Sequence, residues 1–243
     1  MRETYYGGVC WGGREDSAEA CARRAETFFR LLSRCDPIYT RWFEQANSRK
    51  KALQLQFEPT ADTFLRFFKQ RKYQEGRDGF MLWVWTGHEE GHGGLATLKC
   101  GSAAEFVPNN CLLYLPKEEP EQERVFHVDV LAQVLRAMVL AWEPDWGFIT
   151  SDDLRESLSQ QGRAGTFVGW LTYLSRGRGE VPPLPEPVRV QPVEDKGTLV
   201  LLTPERLTAS NPEHLALGRR VQDVLLAKGL LEPVVSNRPA PHG

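Results

Sequence analysis

Four glycines fall within eight residues of one stretch, "TGHEEGHGG" at 86–94. On either side lie strand-like runs, "FMLWVW" (80–85), rich in aromatics, and "LATLKC" (95–100), which roughly alternates. Each glycine inside a helix costs about 1 kcal/mol relative to alanine, so this link cannot sustain one. Two strand runs around a Gly-rich polar link predict a β-hairpin with a long loop. The chain is thereby committed to antiparallel sheet at its middle.

The same link carries His88, Glu89 and His92 in the spacing H-E-x-x-H. In zinc peptidases that spacing works because residues four apart share one face of a helix, so that two imidazoles grip one ion and the glutamate acts as base. A catalytic zinc also needs a third protein ligand, and His127, His214 and His242 show no supporting pattern. A zinc hydrolase built on this stretch is the alternative reading. The hairpin reading makes His88, Glu89, Glu90 and His92 surface groups, open to a partner and not to a metal. A site from Cys100, Cys111, His88 and His92 has no specific spacing either. No metal and no cofactor are expected.

The flanking chain supplies amphipathic helices. Residues 14–36 place Cys21, Ala25, Phe28, Phe29 and Leu32 at helical spacing, with Asp16 or Ser17 to cap the start and Asp36-Pro37 to mark the end. A second helix is predicted over 60–73, with Thr60 or Asp62 as cap and Phe64, Leu65, Phe67 and Phe68 as its stripe. The clearest is 127–142, whose Val128, Leu131, Val134, Leu135, Met138 and Trp142 form a stripe wide enough to lie on a sheet. The last runs over 211–229, with Asn211 as cap, Pro212 in the first turn and Gly229 as stop.

Strands are predicted at 4–11, with Gly7 and Gly8 marking a bulge or a close backbone approach, at 110–115, at 167–175 and twice within 188–203. A short helical turn is expected around Trp42 and Phe43, a charged loop over 116–124, and a strand and a short capped helix within 143–158. Strands in adjacent runs favour an α+β fold, a mostly antiparallel sheet packed with several amphipathic helices. One domain over 1–233 with a disordered tail over 234–243 is the expectation.

Composition narrows the function. With 30 basic against 32 acidic residues in 243, the chain lacks the basic footprint of a general nucleic-acid binder. No apolar run approaches the ~20 residues of a membrane span, and the N-terminus lacks an apolar secretory segment. A cytoplasmic protein that starts near Met1 is expected. The five cysteines contain no C-x-x-C pair and read as reduced and largely buried.

Remaining clusters read structurally. "PPLPEP" (182–187) is a stiff connector before it is a docking element, and "RGRG" (176–179) a turn. "WEPDWG" (142–147) reads as a helix end whose tryptophans close the core, and Trp170 and Tyr173 as packing residues. Acidic runs at Glu89 and Glu90, at Glu118, Glu119, Glu121 and Glu123, and at Asp152 and Asp153 read as solvated faces. The sharper reading is that Glu118, Glu119, Glu121, Glu89 and Glu90 mimic phosphate toward a basic partner groove.

The blocks "GGVCWGGREDSAEACARR", "DPIYTRWF", "SRKKAL", "WEPDWGFITS", "VGWLTYLS" and "GTLVLLTPERLTASNPEHLALGRRVQ", in that order, resemble the immunity protein 52 family. The likeness runs from about Thr4 to Leu231, and "GHEEGHGG" departs from it. The resemblance implies a cytosolic α+β immunity protein, encoded beside the type VI secretion nuclease toxin of restriction-endonuclease type that it binds. It supplies no catalytic residues. No direct contact with nucleic acid or membrane is implied, and a homo-oligomer stays open. A protein-interaction module for another cytosolic partner is the third reading.

Overall fold

The first strand of the chain, β1 (Tyr5–Trp11), occupies the middle of one sheet. Its glycines explain the position. Gly7 lies opposite Leu113 and Ile149, and Gly8 opposite Leu112 and Phe148. A Cβ on Gly7 would lie 2.6 Å from Ile149 Cδ1, and one on Gly8 2.6 Å from Leu112 Cδ2. Pairing continues through both without a slip, so they serve close approach and make no bulge.

The structure is a computed structural model and describes residues 3–75, 79–159 and 166–235. On one side of β1 stand β6 (Asn109–Tyr114), β5 (Leu95–Cys100), β4 (Phe80–Trp85), β2 (Trp42–Glu44) and β3 (Gln56–Phe57). On the other stand β7 (Trp146–Ser151), β8 (Leu171–Ser175), β10 (Gly197–Leu201) and β9 (Arg189–Val193). Each neighbouring pair in this order runs antiparallel. The α+β fold with an antiparallel sheet is therefore as expected.

Three helices cover one face. α1 (Ala18–Leu32) is capped by Ser17, whose hydroxyl accepts from the Ala20 N–H at 3.2 Å. It packs against α3 (Ala61–Phe68), capped by Thr60, and α5 (Val128–Trp142). The whole predicted stripe of α5, Val128 to Trp142, is buried. Phe29 stacks on Phe64 at 5.2 Å and meets Trp42 edge-on at 4.7 Å. Burying each such ring contributes roughly 1.5–3 kcal/mol.

The opposite face is divided. Over β7 it is closed by Phe167, which sits 4.9 Å from Trp146 and 5.0 Å from Phe148. Arg155, on α6 (Asp152–Leu158), donates to the Tyr6 hydroxyl there at 3.0 Å. Leu158 also packs against Gly218 of α7 (Pro212–Ala227). Over β4, β5 and β6 the same face meets solvent, with Trp83 42% and Tyr114 38% exposed.

Several local expectations change. Trp42 and Phe43 lie in β2 and not in a helical turn, because Trp42 is buried against Phe29 of α1 and Phe43 on the other face against Trp85. The helical turn falls earlier, a 3₁₀ turn at Pro37–Tyr39, where Asp36 accepts from the Ile38 N–H at 2.9 Å. α1 accordingly stops at Leu32, before Asp36. A further short helix, α2 (Arg49–Ala52), is capped by Ser48. The charged segment at 116–124 is not all loop: α4 (Glu121–Val125) forms at its end because Gln122 and Val125 have a core to bury against. Of the predicted tail at 234–243, residues 236–243, His242 among them, lie outside the described residues. Among the described residues no helix is long and apolar enough to cross a membrane.

Candidate partner-binding site

Trp85 and Leu95 form the last pair of the β4–β5 hairpin. The loop above them is open, as the glycines require: Gly87 and Gly91 sit at φ +79° and +84°, a left-handed conformation that a β-carbon penalises. Thr86 closes the base, its Oγ1 accepting from the Gly94 N–H at 3.0 Å. His88 Nδ1 lies 2.8 Å from that same oxygen. Burial, and then the charge of Arg41, holds the His88 pKa below the ordinary imidazole value.

The loop is docked on a second acidic stretch. The Gly91 carbonyl accepts from the Lys117 N–H at 2.6 Å and the Glu118 N–H at 3.0 Å. His92 Nδ1 lies 2.9 Å from Glu121 Oε2, and that hydrogen bond is the main cause of a lowered Glu121 pKa. Glu119 turns inward along its own segment, accepting from the Glu123 N–H at 2.9 Å. Of the five glutamates singled out by sequence, Glu89, Glu90, Glu118 and Glu119 are exposed, and Glu121 is partly shielded as an internal anchor. Two runs some thirty positions apart thus become one acidic corner.

Beneath the corner is a cavity of 490 Å³. Trp85, Leu95 and Tyr114, one cross-strand row of the open face, supply its apolar floor. His88, Glu89, Glu90, Arg49 and Lys117 stand at its walls. The rim therefore carries both signs of charge over an aromatic base, a composition suited to holding a protein segment.

The zinc geometry is not met. The stretch has no helical register to stack His88 over His92, and each ring is engaged elsewhere. Among the described residues no three histidine, cysteine or acidic side chains are grouped to hold a metal. Cys100 and Cys111 are buried in the core, and all five cysteines are free. His214 is occupied structurally, Nδ1 accepting from the Thr208 N–H at 3.0 Å, and His127 is exposed beside Asp129. Trp142, Trp146, Trp170 and Tyr173 are buried, which removes them as platforms. Asp145 joins strands, accepting from the Gly12 N–H at 2.9 Å. Asp152 and Asp153 sit in the first turn of α6, where they favour the helix dipole.

Sequence reading missed the open aromatic face. Its signal is in β4, where large apolar residues fill both alternations, Leu82 and Val84 inward and Met81, Trp83 and Trp85 outward.

A family model described as Immunity protein 52 matches residues 3–234. No curated protein matches the sequence. Among the solved structures that match is one described as a T6SS protein of Pseudomonas aeruginosa, 11% identical with a TM-score of 0.54. The match covers 94% of this chain and 76% of that one, a likeness of fold.

Proposed function

We propose a function from the premise that this chain belongs to the immunity protein 52 family. It binds a cognate bacterial toxin in the cytoplasm of the producing cell and neutralises it as a stoichiometric complex. The toxin is a nuclease of restriction-endonuclease type, delivered by type VI secretion and encoded beside this chain. One observation carries the reading: the family match spans nearly the whole chain. The likeness to a T6SS protein agrees with it in fold.

The acidic corner gives the reading a chemistry. A nuclease must present cationic side chains to phosphate. Glu89 and Glu90 offer carboxylates in the phosphate's place, which speeds encounter and fixes orientation. Binding, not turnover, is the work of the site. A complex of standard size buries roughly 1,200–2,000 Å² in total.

Co-expression tests this. Cells making the adjacent-gene toxin alone should stop growing and degrade their DNA. Cells making this chain as well should recover. Growth arrest that persists at equal expression would overturn the immunity role. Arrest with intact DNA would overturn only the nuclease assignment.

A further inference from the structure

The outer face of β4, β5 and β6 repeats in register. Met81, Lys99 and Asn110 form one row, Trp83, Thr97 and Leu112 the next, and Trp85, Leu95 and Tyr114 the last. Across β1 the middle row leads to Gly8 and the last to Tyr6, on which Tyr114 stacks at 5.7 Å. The rows thus run from a covered half of the face into an open one. Solitary exposed apolar residues are ordinary, but Trp83 and Tyr114 are joined through half-buried Leu112, Leu95 and Trp85 into one surface, and such a patch marks a docking site.

We infer that this open face, led by Trp83 and Tyr114 and continued by the 490 Å³ cavity under Glu89 and Glu90, is where the nuclease toxin docks. The inference rests on the immunity reading. The partner segment it fits carries an apolar or aromatic side chain for the cavity, flanked by basic side chains for the glutamates.

Three observations favour this occupant. The apolar row Trp85–Leu95–Tyr114 is continuous with the acidic corner, since its residues belong to both the face and the cavity. The acidic rim is charge-complementary to a phosphate-binding groove. Tryptophan and tyrosine, surrounded by residues that exclude water, are the side chains that dominate binding energy at interfaces.

Size makes the same point. Three strands by six residues span about 15 Å by about 20 Å, on the order of 300 Å². A standard interface needs about 800 Å² from each partner. The face can therefore be only the centre of the contact, and the acidic corner and cavity rim extend it on the side where Tyr114 lies.

The test is titration calorimetry of purified chain into the purified toxin encoded by the adjacent gene. Trp83→Ala and Tyr114→Ala should each weaken binding at least thirtyfold. Val190→Ala, on exposed β9 at the far edge, should leave it unchanged. Thr97→Arg sets a cation at the centre of the face while keeping both aromatics, and it should weaken binding at least tenfold even if an aromatic variant folds poorly. Wild-type chain that binds tightly, with Trp83→Ala, Tyr114→Ala and Thr97→Arg all equal to it, would sink this surface and leave the immunity role standing. Wild-type chain that does not bind would sink the role itself. A dimer in light scattering that dissociates in Trp83→Ala, with toxin affinity intact, would give the face to a second copy and overturn the proposal.

Discussion

His92 Nδ1 and Glu121 Oε2 lie 2.9 Å apart and join the β4–β5 loop to the first turn of α4. The bond lowers the Glu121 carboxyl below its usual value of 4.5, so the folded state favours the carboxylate. Its stabilisation is complete above about pH 4.5 and is lost as pH falls through the lower folded value. Thermal melts of wild type and Glu121→Gln should differ at pH 6–7, and the gap should close toward pH 3. A gap that widens in acid would contradict this linkage.

The loop's docking depends on Gly91. Its φ of +84° costs a non-glycine residue about 1–2 kcal/mol, and a Cβ would lie 2.7 Å from Glu118 Cγ. Gly91→Ala should lower stability by about that amount in urea unfolding. It should also raise the hydrogen-exchange rate of the Lys117 and Glu118 amides, which bond to the Gly91 carbonyl.

Charge reversal separates surface glutamates from anchoring ones. Glu89→Lys and Glu90→Lys together should slow association with the toxin and weaken it by several kcal/mol, since like charges would then face each other. Glu118, Glu119 and Glu121 are left out because each already makes contacts within the fold. Association rates that fail to drop in low salt would remove the acidic corner from the interface.

Arg124 grips Asp36 with two hydrogen bonds of 3.0 Å, Nε to Oδ2 and Nη2 to Oδ1. Asp36 is only 6% exposed. Arg124→Met strands that carboxylate and should cost about 1–3 kcal/mol. The value is set below that of a fully buried pair because the arginine is half in solvent. Chemical denaturation of the variant checks it.

The periodic helices were legible in the sequence. The 128–142 stripe, the Ser17 and Thr60 caps and the Asn211-Pro212 start all depend on neighbours within four residues. The hairpin was legible too, because glycine density decides the backbone locally. Trp42 and Phe43 were not: three residues of β2 have no period to read, and only the packing of Trp42 under α1 and of Phe43 on Trp85 across the sheet makes them strand. The acidic corner was half visible. Its glutamates stood out as charge runs, but the contacts of Gly91 with Lys117 and Glu118 span a separation that no local pattern encodes. The aromatic face was written in the crowded alternation of 80–85, where residues on both sides of the strand are large.

The order of the strands sets when this chain can act. β1 emerges from the ribosome first, yet both of its sheet neighbours lie more than ninety residues downstream, β6 at Asn109–Tyr114 and β7 at Trp146–Ser151. Until they are synthesised, Tyr5 to Trp11 has nothing to pair with, and such long loop closures slow folding. The sheet therefore cannot close on both sides of β1 until β7 has been made. A chain cut short before Trp146 would leave β1 without one of its two partners and the sheet split at its centre.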